Sequence, residues 1–116
     1  MLYLPLDDIL YIQADGNYCD IHLVDGGVIN TLTRQRAEMS RMIVAQFPTE
    51  GGRRFALLGR SYLINTQYVM RIQPSRQLLT FSVNRFGTCK KVTIKATAKA
   101  LDTLVNKMED GSQTSN

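Results

Sequence analysis

The stretch from residue 51 to residue 101 contains no aspartate and no glutamate, yet it carries ten lysines and arginines. Residues 1–50 run the other way, setting seven acidic side chains against Arg34, Arg36 and Arg41. Residues 102–116 set Lys107 against Asp102, Glu109 and Asp110. A modest net charge of +4 therefore conceals a basic block with nothing inside it to offset the charge. Such a block predicts a positive field over one part of the folded surface. The usual partner for such a field is a polyanion, with an anionic membrane second.

Other absences narrow the function classes. The longest apolar runs, such as residues 2–6 and Phe55–Leu58, are far too short to cross a bilayer. No basic segment followed by an apolar one opens the chain, so secretion is not indicated and a cytoplasmic location is the default expectation. The two cysteines, Cys19 and Cys89, lie far apart and form no C-x-x-C pair. Both sit in strand-like runs, where a reduced thiol behaves as a small hydrophobe. The single histidine, His22, has no Cys, His or Glu at ligand spacing, so no metal site is expected. Gly59-Arg60-Ser61 lacks the second glycine of a nucleophile elbow. Neither Gly26-Gly27 nor Gly51-Gly52 precedes a Gly-Lys-Ser/Thr phosphate cradle. Asp7-Asp8 would point apart on a strand and makes a poor acid/base pair. No catalytic constellation can be assembled, so an enzyme is not expected and no cofactor is implied.

What is present is mostly strand. With 116 residues the chain is long enough for one domain with a real core. Residues 9–12 form a β-type run closed by the turn signal Asp15-Gly16-Asn17. Residues 18–24 alternate, with Cys19, Ile21 and Leu23 on one side and Asp20 and His22 on the other, which predicts a half-buried strand. Asp25-Gly26-Gly27 is a hairpin turn leading into a returning strand over Val28–Leu32. Thr33 can cap a helix in which Met39, Met42, Ile43 and Phe47 recur at helical spacing, ended near Pro48. Five short β-prone runs follow, at Phe55–Leu58, Tyr62–Asn65, 68–72, 78–83 and 89–94, with turn signals between them. Residues 97–108 close the domain as a helix lined by Leu101, Leu104, Val105 and Met108, and residues 109–116 read as a disordered polar tail.

The cations of the second half are predicted to cluster at turns: Arg53-Arg54, Arg60, Arg71, Arg76, Arg85, Lys90-Lys91 and Lys95. A guanidinium projecting from a turn can fork onto a phosphate or onto guanine O6/N7. Ser61, Asn65, Thr66, Thr93 and Asn17 supply small hydrogen-bonding groups beside them. Tyr18, Tyr62, Phe81 and Phe86 read more simply as core or edge residues than as a stacking platform for single strands.

The run Asp8-Ile9-Leu10-Tyr11-Ile12-Gln13-Ala14-Asp15-Gly16-Asn17-Tyr18 resembles the opening of a LytTR DNA-binding domain. So does Phe55 followed by Arg60-Ser61-Tyr62-Leu63-Ile64-Asn65, and the likeness continues through residues 69–72, 78–81 and 92–95 to Ala98-Lys99-Ala100-Leu101. The resemblance implies an elongated, mostly β antiparallel domain over residues 1–108 with two short α-helices. It implies that loops enter successive major grooves of duplex DNA and that pairs of domains bind repeated sites. It also implies a bacterial transcription regulator of the response-regulator kind, usually joined to an N-terminal receiver or sensor domain. No such domain lies within these residues, so an excised output domain and a free-standing one both stay open.

Carried over by position, the base-reading candidates are Asn17, Arg60, Ser61 and Lys95. The phosphate candidates are Arg34, Arg53, Arg54, Asn65, Lys90, Lys91 and Thr93. Three positions depart from the family pattern. A basic residue commonly stands where this chain has Leu57, a histidine where it has Gly59, and an arginine where it has Lys95. Lysine cannot make arginine's planar fork. The loop 50–54 looks expanded, and Arg53 and Arg54 can substitute for the cation missing at Leu57. The competing reading from another class is a β-rich module whose basic face meets a protein or an anionic lipid surface, without sequence-specific DNA binding.

Overall fold

A computed structural model describes the chain over residues 5–15, 18–32, 55–85 and 87–114. These residues divide into two compact units, one ending at Gln67 and the other beginning at Tyr68.

The first unit is a five-stranded antiparallel sheet made of β1 (Ile9–Asp15), β2 (Tyr18–Leu23), β3 (Val28–Leu32), β4 (Phe55–Leu58) and β5 (Tyr62–Asn65). Their order in the sheet is β3-β2-β1-β5-β4. A 3₁₀ turn, Leu6–Asp8, leads into β1. The alternation expected in β2 is present, and Cys19 and Ile21 pack with Ile9, Ile12, Phe55, Leu63 and Leu6 in one buried cluster. A bulge makes this possible. Ile9 pairs with Leu23 and Tyr11 with His22, so Leu10 is an extra residue that shifts the phase of β1. Ile9 and Ile12 then face the same core although they are three residues apart. The β2–β3 hairpin turns at Asp25-Gly26-Gly27, where the Gly27 amide donates to the Asp25 carboxylate at 2.8 Å and Gly26 takes a φ of 98°.

The second unit is a three-stranded antiparallel sheet, β6 (Val69–Gln73), β7 (Leu78–Arg85) and β8 (Thr88–Lys95), in that order. It is followed by α1 (Ala98–Thr114). The strand β7 alternates without interruption through most of its length: Leu79, Phe81 and Val83 are buried, and the residues between them are not. Ile94 of β8 lies opposite Leu79 on the buried face. Leu101 and Leu104 of α1 are fully buried, and the helix packs against β6 and the Pro74–Arg76 turn. Its first turn is capped by Thr97, whose hydroxyl accepts from the Ala100 amide at 3.2 Å.

One expectation changes, and another lies outside the described residues. The backbone of α1 runs on to Thr114, over residues read as a polar tail and past the last apolar position of the stripe at Met108. One α-helix is present among the described residues, and the helix expected over residues 33–48 lies outside them.

Candidate nucleic-acid interface

Arg60 and Ser61 occupy the turn between β4 and β5, and both are exposed. The turn depends on Gly59, whose φ of 64° lies where a Cβ would crowd the backbone. The Ser61 carbonyl accepts from the Ala14 amide at 2.8 Å, tying the turn to β1. Arg60 therefore projects from a base fixed on two sides, by β-pairing of β4 with β5 and by this bond to β1.

The second unit contributes a different surface. Residues directly opposite one another in an antiparallel pair point to the same face. Leu78 faces Lys95, Thr80 faces Thr93, Ser82 faces Lys91 and Asn84 faces Cys89. The Thr80 and Thr93 hydroxyls lie 3.3 Å apart, which confirms the shared face. Lys91, Thr93 and Lys95 are all exposed on it. Lys90 points to the other side, opposite Val83, and is exposed near the hairpin end of the strand.

The cations are thus not confined to turns. Arg71 lies within β6, and Lys90, Lys91 and Lys95 lie within β8; only Arg60 and Arg76, of the described candidates, sit in turns. The reason is that β8 is an edge strand. Lysine in an edge strand keeps its charged end in water and discourages pairing with another chain.

Asn65 is a correction. The sequence places it at a phosphate, but it is fully buried, and its amide donates to the carbonyls of Ile9 at 2.8 Å and Leu6 at 3.3 Å. Its side-chain oxygen accepts from the Gln67 amide at 3.2 Å. With both ends committed, the residue fastens the Leu6–Asp8 turn to the end of β5. Its position after a basic turn gave it the look of a surface donor, and nothing local distinguished the two roles. Asn17, Arg34, Arg53 and Arg54 lie outside the described residues.

His22 lies on β2. Its ring stacks on Tyr11, with centroids 4.2 Å apart and planes within 12°. Tyr62 meets Tyr11 edge-on at 5.8 Å. The His22 Nε2 is buried with no hydrogen-bond partner among the described residues. Burial holds the imidazole below its ordinary pKa, with Asp20 pulling in the opposite direction. Burial, and then the neighbouring Tyr62, push the Tyr11 phenol up.

No helix among the described residues is long and apolar enough to cross a membrane. No curated protein matches this chain. A solved LytTr DNA-binding domain from Bacillus cereus is similar over 89% of this chain and 83% of that one, with 12% identity and a TM-score of 0.53. At that identity the likeness speaks for the fold alone, and the fold it supports is the mostly β, antiparallel one. The LytTr DNA-binding domain family itself matches residues 1–105. With nearly the whole chain covered, this protein belongs to the LytTr DNA-binding domain family.

Proposed function

We propose that this chain binds duplex DNA sequence-specifically as the output domain of a bacterial response regulator, acting in the cytoplasm. Family membership supports DNA binding, and the observation that carries the finer reading is the exposed turn of Arg60 and Ser61. A guanidinium on a short, tied turn suits bidentate contact with guanine O6/N7 in a major groove. Lys95 and the Asn17 loop serve as the other base-reading positions. Arg34, Arg53, Arg54, Lys90, Lys91 and Thr93 anchor phosphates, which positions the domain without reading sequence. Loops enter successive major grooves, domains pair on repeated sites, and an N-terminal receiver or sensor domain supplies the signal.

Selection of bound duplexes from a random pool tests this reading. The expected result is an enriched motif repeated at about one helical turn, 10–10.5 base pairs. Arg60→Ala should cost about 1–3 kcal/mol at one base position of that motif and leave folding intact. A selection that enriches nothing, with binding instead to acidic vesicles or an acidic protein, would overturn it.

A further inference from the structure

The sheet of the second unit has one buried face and one open face, and the open face carries a cation that no sequence motif singles out. In β6, Val69 pairs with Phe81 and Arg71 pairs with Thr80, so Met70 is an extra, bulged residue. Without the bulge, regular alternation would put Val69 and Arg71 on one face. With it, Val69 and Ile72 share the buried side with Phe81 and Leu79, and Arg71 is turned to the side of Thr80. Thr80 in turn faces Thr93. A rung Arg71–Thr80–Thr93 therefore crosses all three strands, flanked on β8 by Lys91 and Lys95. Arg71, Lys91, Thr93 and Lys95 are exposed, and every residue of these three strands is free of acidic side chains.

We propose that this open face is a seat for the sugar–phosphate backbone of duplex DNA, with Arg71 as a second phosphate cation beside Lys91, and the base-reading Lys95 at its rim. Three features select that partner. Lys91 and Lys95 are four residues apart on one strand, about 13 Å at the usual rise, and Arg71 is two strand spacings from Thr93, about 10 Å. Cations with this spacing along and across a flat face suit the spaced phosphates of a polymer better than one small anion. The hydroxyls of Thr80, Thr93 and Ser82 lie between them and suit phosphate oxygens. No aromatic residue faces this side among the paired positions, so it offers no stacking platform for single strands.

The seat rests on the DNA-binding reading but not on its sequence specificity, and the two are tested apart by using a random-sequence duplex. Arg71→Gln and Lys91→Gln, each with its melting temperature checked against the wild type, are titrated with that duplex over a range of salt. Each should weaken binding and lower the slope of log affinity against log salt by about 0.9, the change for one lost phosphate contact. On a selected duplex the loss should be the same, leaving the ratio of selected to random affinity unchanged. Wild-type slope and affinity in both variants would overturn the seat, even if Arg60→Ala still abolished sequence preference. A loss in Arg71→Gln confined to one base position would overturn it too, by making Arg71 a reader. If the selection enriches no motif while both slopes fall on random duplex, the seat stands and sequence-specific reading fails.

Discussion

The two sheets of this protein use the same alternation and spend it differently. In the five-stranded sheet both faces are substantially buried. Ile12 and Leu63 face one cluster, while Tyr11, Ile64 and Leu58, on the opposite face by their pairing, are buried as well. In the three-stranded sheet Leu79, Phe81 and Val83 are buried, and the residues between them face outward with three cations. An antiparallel sheet can leave one face in water, and only such a face can be given over to a partner. The first unit instead offers its turns. On the proposed reading, base contacts fall to the turn of the first unit and phosphate contacts to the open face of the second, the two kinds of contact that DNA recognition combines.

The contrast is broken most directly within a single strand. Phe81→Ala, at a fully buried site, should cost about 3–5 kcal/mol, as a large aromatic leaves a cavity. Ser82→Ala, its neighbour on the open face, should stay within about 0.5 kcal/mol. Urea unfolding of both variants measures the difference. Comparable losses would mean that the outer face of β7 is packed, and the open-face description would fail.

The next largest effect lies in the first unit. Asn65→Ala removes the 2.8 Å donor to the buried Ile9 carbonyl and the second donor to the Leu6 carbonyl, which also accepts from the Ile9 amide. We expect a loss of about 1–3 kcal/mol, the cost of an unsatisfied buried group, in the same unfolding measurement. A variant as stable as the wild type but weakened on DNA would return Asn65 to the interface.

Asn65 also marks what the sequence could reveal. The strands over Val28–Leu32, Phe55–Leu58 and Tyr62–Asn65 are legible to the residue, since each is a short β-prone run bounded by turn residues. Where sequence reading ends a strand early, as at residue 12 in β1, the continuation Gln13-Ala14-Asp15 has no large apolar side chain and is held by pairing with Asp20, Cys19 and Tyr18 of β2. The two bulges were not legible. One added residue at Leu10 or Met70 leaves an apolar run looking continuous, and only cross-strand register exposes it. This is why Arg71 read as one more cation at a turn, though the β6 bulge sets it on the open face. Asn65 failed for the complementary reason: its carbonyl partners are 56 and 59 residues away, so no local pattern distinguishes a clamp from a contact. The basic turn at Arg60 was readable because motif and turn chemistry coincide there.

The smallest effect probes the second face of the five-stranded sheet. His22 is held below its ordinary value near 6.5 by burial, so in the folded state it binds a proton less readily than in the unfolded chain. The contribution is therefore fully present above about pH 6.5 and is lost as the pH falls from there through the folded pKa. Urea unfolding at pH 8 and at pH 5, compared between the wild type and His22→Gln, isolates this from the carboxylates, which titrate in both. The wild type should lose more stability on acidification than the variant. Equal losses would show that the imidazole against Tyr11 takes up its proton as freely as in water. The polar side of β2 would then be wet, and the two sheets would differ less in how they bury their faces than in what those faces carry.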